Sequence, residues 1–168
     1  MNMWQRLYEA GEKGDLQYLQ ESRMDFSMNT ETLFRATRNN HIACVKFLLP
    51  LSDLRVERGE ILNGSTGQIL QTAVRNNNYD MVELLLPYCN PKVDNSLALQ
   101  YASVNRNTQI LELLYLHSDP QTALNDLLER ISIGIWKHED AEILKARMQR
   151  DTLVSHLPVS EHAPVRKM

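Results

Sequence analysis

Two short stretches of the chain carry residue types that are used in catalysis and ligand binding. The segment HEDAE, residues 138–142, begins like half of a zinc-protease motif, but Glu142 stands where the second histidine ligand belongs. The segment GEKGD, residues 11–15, contains glycine and lysine without the spacing of a phosphate-binding loop. We therefore expect an exposed charged turn at His138 and a turn between helices at residues 11–15.

The five histidines and two cysteines are single residues scattered along the chain. We expect His41 to cap or pack in a turn between two helices, and Cys44 and Cys89 to be free thiols of a reducing cytoplasm. No nucleophile motif is visible, so we predict no catalytic residue, no metal site and no cofactor. Catalytic groups need not be adjacent in sequence, which leaves open an enzyme with its site at residues 51–66 or in a C-terminal unit.

Charge and hydropathy narrow the class of protein. The 168 residues carry a formal charge of −3, with acidic and basic side chains mixed along the chain. No basic stripe favours nucleic acid, so a nucleic-acid adaptor is the less favoured alternative. No apolar run approaches the roughly 20 residues of a membrane span, and the first residues lack the apolar core of a secretory signal. We expect one soluble, cytoplasmic domain.

Any functional residue must be positioned by pairs of helices, because one sequence pattern occurs three times along the chain. The copies are ETLFRATRNNHIACVKFLL, QILQTAVRNNNYDMVELLL and LALQYASVNRNTQILELLY, and a fainter copy opens the chain. In each copy a leucine is followed three residues later by alanine, which places both on one helical face. The leading leucines are Leu7, Leu33, Leu70 and Leu99. A second apolar run in each copy predicts a second helix packed between stacked units.

Asparagine-rich turns separate the two helices of each unit. Asn39-Asn40, Asn76-Asn77 and Asn105 suit the left-handed backbone conformation that ends a first helix. Two short helices with such a turn fit these segments better than strands do. Tandem helix pairs stack into a solenoid, and solenoid proteins usually function by presenting a binding surface.

The repeated units resemble ankyrin repeats. The resemblance rests on the Leu-x-x-Ala first helix, the Asn-Asn-His or Gly-Asp-Leu turn and the Val-x-x-Leu-Leu second helix, over roughly residues 4–118. The Thr-Pro-Leu-His opening of the consensus is missing, and linkers such as residues 87–96 are too short for a projecting β-hairpin finger. This short-finger variety resembles arrays of bacterial, phage and large-virus proteins. A phage or viral origin would imply a host cytoplasm.

The resulting architecture is an all-α, ankyrin-like helical solenoid of about four to five stacked helix pairs, forming a single domain over residues 1–157. The predicted units span residues 4–22, 30–50, 67–87 and 96–116. Residues 121–157 are predicted to form a degenerate C-terminal capping unit, and residues 158–168 a disordered tail. The oligomeric state is not predicted.

The resemblance implies a concave surface, lined by first helices and linkers, that binds another protein. We expect Arg35 to align with Gln71 and Gln100 in successive units, and Arg38 with Arg75, all exposed. Arginine and tyrosine often anchor interfaces. The predicted partner-binding residues on this surface are Arg35, Arg38, Gln71, Arg75, Gln100, Tyr101 and Arg106. Other positions expected to be exposed on the same helices are Glu31, Thr32, Gln68, Thr72 and Ser96.

A longer segment, residues 51–66, separates the second and third units. It can be interpreted as a loop partly folded over the array, or as a loop that contacts a partner through Arg55 and Arg58. The predicted function is a non-catalytic protein–protein interaction module. It would act as an inhibitor or adaptor of a host or cellular protein, through the concave face or this long loop.

Overall fold

The computed structural model describes residues 2–22, 26–52 and 66–155, without the side chains of residues 26–28 and 66. These residues form ten α-helices and no strand, which confirms the predicted all-α helical architecture. The helices are α1 Met3–Lys13, α2 Leu16–Glu21, α3 Phe26–Arg38, α4 Ile42–Leu48, α5 Thr66–Arg75, α6 Tyr79–Leu85, α7 Val93–Val104, α8 Thr108–Tyr115, α9 Pro120–Ser132 and α10 Glu142–Ser155. Short 3-10 turns occupy Leu49–Leu51, Leu86–Tyr88 and His138–Ala141.

Two predictions fall on other parts of the chain. Most of the long loop, including Arg55 and Arg58, and the tail at residues 158–168 lie outside the described residues. Their roles, and the boundaries of the single domain, stay predictions.

The helices stack in the order of the repeats. First helices α1, α3, α5, α7 and α9 contact one another in sequence, and each of the first four also packs on the second helix of its own unit. The four leading leucines and the alanines that follow them are buried, as the repeat pattern predicts. A second buried row comes from the second helices and consists of Leu19, Val45, Val82 and Leu111. The core is therefore drawn out along the stack, as in other solenoids.

A left-handed residue ends the first helix of each of the first four units. Gly14, Asn40, Asn77 and Arg106 have φ between 55° and 77°, and each lies seven residues after its leading leucine. The prediction of a left-handed Asn105 is wrong, because Asn105 lies one residue too early and keeps φ −71°.

Two of the asparagines just before these residues, Asn76 and Asn105, connect neighbouring units. The side-chain amide of Asn76 donates to the backbone oxygens of Thr37 and Arg38 at 3.2 and 3.0 Å. The equivalent amide of Asn105 donates to the Val74 oxygen at 2.7 Å. These bonds satisfy carbonyls at the end of one first helix with a side chain from the next unit. They fix the spacing of the turns along one edge of the stack.

The second helices begin at side-chain caps. Asp15, Asn78 and Asn107 each accept a hydrogen bond from a backbone N–H three residues later. His41 holds the same position without capping α4, and its Nε2 lies 2.9 Å from the Glu12 oxygen. Its ring also covers Gly14, where an added Cβ would meet Nδ1 at 2.5 Å. His41 therefore packs between the first two units, consistent with the structural role expected for it.

A left-handed turn of three residues opens α7. Asp94, Asn95 and Ser96 have φ between 53° and 57°, where residues other than glycine are uncommon. Ser96 is buried rather than exposed as predicted, since its Oγ accepts the Asp119 N–H at 2.9 Å. This bond links the start of α7 to the N-cap residue of α9.

Helices α9 and α10 form the last pair. Their buried residues are Ala123, Leu127, Ile131 and Leu144, and α9 packs against α7. Glu139 and Arg150 are exposed on the outside of this pair. The arrangement fits the predicted capping unit, whose capping role stays a prediction.

Candidate functional site

The residues predicted to bind a partner divide into exposed and buried groups. Arg38, Arg75 and Arg106 are exposed, and Arg35 and Tyr101 are half-buried. All five belong to what we call the first-helix face, defined as the exposed and half-buried side chains of α1, α3, α5, α7 and α9, residue 106 and residues 133–137. Gln71 and Gln100 do not belong to it.

The prediction that Gln71 and Gln100 are exposed is wrong. Gln71 is 8% exposed and Gln100 is fully buried. Each follows its leading leucine by one residue, whereas Arg35 follows Leu33 by two. One residue is about 100° of rotation on a helix, so the predicted column mixed two faces. Arg35 is in register with Thr72 and Tyr101, both half-buried.

Two further positions on α3 and α5 test the same pattern. Thr32, which was also expected to be exposed, is fully buried. Gln68, two residues before the leading Leu70, is exposed as predicted. Thr32, Gln71 and Gln100 each lie beside a buried leading leucine, whereas the buried Ser96 lies three residues before Leu99.

The buried glutamines connect neighbouring units. Gln71 donates through Nε2 to Asp94 Oδ2 at 2.8 Å. Gln100 donates through Nε2 to the Asn95 oxygen and to Asp126 Oδ2, both at 2.9 Å. Both amides therefore reach the left-handed turn that opens α7. They support that turn instead of facing a partner.

Asp126 on α9 is the acceptor at the centre of this network. It accepts from Gln100 and from Arg130 Nε at 2.8 Å. Burial acts to raise the pKa of the Asp126 carboxyl, but the hydrogen bonds from Arg130 and Gln100 together outweigh burial and hold the pKa below its ordinary value. The Asp126 carboxylate is therefore ionised at neutral pH, and its hydrogen bond with Gln100 links α9 to α7.

Two arginines flank a pair of aromatic rings at the C-terminal half of the first-helix face. The Arg75 guanidinium lies 5.5 Å from the Tyr101 ring centroid, and the Arg130 guanidinium 5.3 Å from the Trp136 centroid. The two rings meet edge to face with centroids 5.8 Å apart. We call these four residues the Tyr101 cluster. Cation–π and edge-to-face contacts hold their side chains in fixed positions.

The loop after α9 adds exposed apolar surface beside this cluster. Ile133 and Ile135 are 66% and 57% exposed, and Trp136 follows them directly. Gly134 between them has φ +79°, which turns the chain sharply. Sequence reasoning missed this loop because it lies outside the three clear repeats. The signal was available in the segment SIGIW, which has two large apolar residues around a glycine.

Two of the other predicted arginines, Arg35 and Arg106, already form ion pairs within the chain. Arg35 Nη1 pairs with Glu12 at 3.3 Å, and its Nε pairs with Glu31 at 2.8 Å. Arg106 pairs with the exposed Glu139 at 2.6 Å. Exposed pairs of this kind contribute little to stability and can exchange with those of a partner.

A groove of about 800 Å³ lies on the opposite side of the stack. Tyr79, Leu111 and Ile143 contribute to its lining from α6, α8 and α10. Arg147 and Arg150 at this groove both pair with Glu112. None of the predicted partner-binding residues that the structure describes lines it.

The described residues hold no group of histidine, cysteine or acidic side chains that could bind a metal ion. The HEDAE segment forms an exposed 3-10 turn followed by α10. Both cysteines are free. Burial raises the pKa of the Cys44 thiol, and it raises that of Cys89 to about 12. Neither thiol is therefore an activated nucleophile at neutral pH.

Stacked helix pairs with a continuous face of first helices define the class, a tandem helical-repeat protein. Residues 33–126 match the family model for ankyrin repeats, in three copies. This match covers more than half of the chain, which therefore belongs to the ankyrin repeat family. Ankyrin repeats are generally protein–protein interaction modules and typically non-catalytic.

Two other findings complete the comparison. No curated protein matches the chain. In the described part of the chain, every helix is too short or too polar to cross a membrane.

Proposed function

We propose that this chain binds another protein through the first-helix face, with the Tyr101 cluster and its neighbouring isoleucines at the centre of the interface. Bound there, it acts as an adaptor or as an inhibitor that occludes its partner. The observation that carries the proposal is the row of Arg75, Tyr101, Trp136 and Arg130, which joins α5, α7, α9 and the following loop.

The chemistry of this row suits an interface. Arginine, tyrosine and tryptophan are the side chains most enriched among interface hot spots. Here each guanidinium lies over a ring, a contact that reduces the side-chain freedom still to be lost on binding. Ile133 and Ile135 add apolar area that a partner can cover.

A second surface and a second class of function stand as alternatives. The long loop with Arg55 and Arg58 is the other predicted contact region. An enzyme with a site in that loop or in the C-terminal unit is the other class. No observation in the described residues favours catalysis, so the long loop is the alternative that the experiment tests.

The experiment is affinity capture from the cells that produce the chain, with two matched double variants. Arg75→Glu with Ile135→Asp alters the proposed interface, and both residues are exposed. Lys46→Glu with Leu116→Asp makes the same kinds of change at exposed positions on and after second helices. We expect the first variant to lose the partner and the second to retain it, since each hot spot contributes about 2 kcal/mol or more.

The reverse results reassign the surface. Loss of the partner only on deletion of residues 55–63 would make the long loop the site. Loss in the Lys46→Glu, Leu116→Asp variant would place the interface on the second helices. Circular dichroism of all variants before capture verifies that each is folded.

A further inference from the structure

Four arginines in the described residues lie over aromatic rings. Arg35 lies 5.0 Å from the Tyr8 centroid, and Arg147 lies 4.1 Å from the Tyr115 centroid. The other two, Arg75 and Arg130, belong to the Tyr101 cluster. A guanidinium stacked on a ring keeps its N–H donors free at the edge of its plane, where a carboxylate can accept two of them.

Three of these stacked arginines already have carboxylate partners in the chain. Arg35 pairs with Glu12 and Glu31. Arg130 pairs with Asp126. Arg147 pairs with Glu112 and Asp151. Stacking and ion pairing therefore occur together in this fold.

Arg75 differs from these three arginines, because it lies over a ring but pairs with no carboxylate of the described residues. It lies over Tyr101, is exposed, and forms no ion pair with the described residues. Arg38, at the equivalent position one unit earlier, is also exposed and forms no ion pair with them. The two side chains are in register on adjacent first helices, which pack roughly 8–10 Å apart.

We infer that the partner supplies the missing carboxylate at Arg75, and that the bound segment is an acidic peptide stretch with a second carboxylate within reach of Arg38. An apolar side chain of the same segment packs on Ile135 and Trp136. This inference rests on the proposed function and specifies its partner. Charge complementarity supports it, because Arg38 and Arg75 are two neighbouring exposed cations without an ion pair among the described residues.

Nucleic acid fits the same surface less well. Single strands bind proteins by stacking bases on aromatic rings. Here one face of the Tyr101 ring is covered by Arg75, and one face of the Trp136 ring by Arg130. Two cations also neutralise only a short run of phosphates, and the net charge of the chain repels the rest.

The test is selection of a displayed library of random 12-residue peptides on the full chain. Peptides recovered on the wild type should be enriched in Asp and Glu over the unselected library. Arg75→Gln should weaken the affinity of a recovered peptide roughly tenfold or more, the change expected from losing a charge-assisted hydrogen bond. Arg75→Lys keeps the charge without the paired donors and should give an intermediate loss. Lys46→Gln removes an exposed cation on α4, outside the first-helix face, and is the control that should change nothing.

Several outcomes overturn the inference. These are recovery of no peptide, recovery without acidic enrichment, and equal binding of acidic peptides by Arg75→Gln. Tighter, Arg75-dependent binding of a 12-nucleotide oligothymidylate in the same assay would assign the surface to nucleic acid instead. If Arg75→Gln keeps the captured cellular partner at full affinity while Arg75→Glu with Ile135→Asp loses it, the proposed function stands and the carboxylate inference fails.

Discussion

At the residue scale, Arg106 has the least suitable side chain for its backbone conformation. Its φ is +55°, a region that disfavours residues with a Cβ unless the side chain bonds locally. The equivalent positions in the other units are Gly14, Asn40 and Asn77, which tolerate it better. The exposed ion pair of Arg106 with Glu139 offsets little of that strain.

We therefore expect Arg106→Asn to raise the free energy of unfolding by up to about 1 kcal/mol. Urea denaturation measures this as a higher midpoint with an unchanged slope. Arg106→Ala is the control, because it removes the same ion pair and keeps an unfavourable Cβ, so it should not stabilise. A lower midpoint for Arg106→Asn than for the wild type would show that the turn conformation is not strained.

Gly14 tests the contact between the first two units. Gly14→Ala should destabilise the chain by about 1–3 kcal/mol, since the new Cβ would meet the His41 ring at 2.5 Å in addition to the cost of its left-handed φ. Gly134 has the same φ region with no atom within 4 Å of an added Cβ. Gly134→Ala therefore reports the backbone cost alone. Equal losses in thermal unfolding for the two variants would mean that His41 moves aside freely.

At the scale of elements, the stabilisation that Asp126 provides between α9 and α7 depends on pH. Its pKa is lower in the folded chain than in the unfolded chain, where an aspartate titrates near 3.9. The unfolded state therefore binds more protons between the two values, and stability rises with pH across that window. The contribution of Asp126 is complete above about pH 4 and is lost as the pH falls through its folded value.

We expect Asp126→Asn to flatten the acid side of the stability curve without abolishing it. Asp119, whose pKa is lowered mainly by the Thr122 backbone N–H, and Asp151, whose pKa is lowered mainly by Arg147, remain to give acid sensitivity. Urea unfolding of the wild type and the variant at several values between roughly pH 2.5 and 7 makes the comparison. Parallel curves would mean that Asp126 has the same pKa in both states.

The elements also show what could be read from the sequence. The spacing from each leading leucine predicted the buried rows and the turns, because those positions recur in every unit. Gln71 and Gln100 were misplaced because a one-residue error in alignment rotates a side chain to another face. The left-handed turn at residues 94–96 carries no glycine to signal it. The contact of Tyr101 with Trp136 joins residues from the clear repeats and the degenerate unit, and no repeat pattern encodes it.

At the scale of the whole molecule, the stack presents two different long surfaces. The groove on the second helices carries ion pairs formed within the chain. The first-helix face also has such pairs at Arg35 and Arg106, but its Arg38 and Arg75 form none with the described residues. Arg75 lies next to aromatic rings and exposed isoleucines. This asymmetry is the physical basis for assigning binding to one side.

Photo-crosslinking to the captured partner tests that assignment most directly. A photoreactive p-benzoylphenylalanine is introduced at Ile135 in one variant and at Leu116 in another; these residues are 57% and 80% exposed. Both sites tolerate a large side chain, so differences in yield report proximity to the partner. Our account predicts a crosslink from Ile135 and none from Leu116. A crosslink from Leu116 alone, or from neither site while the partner remains bound, would contradict it.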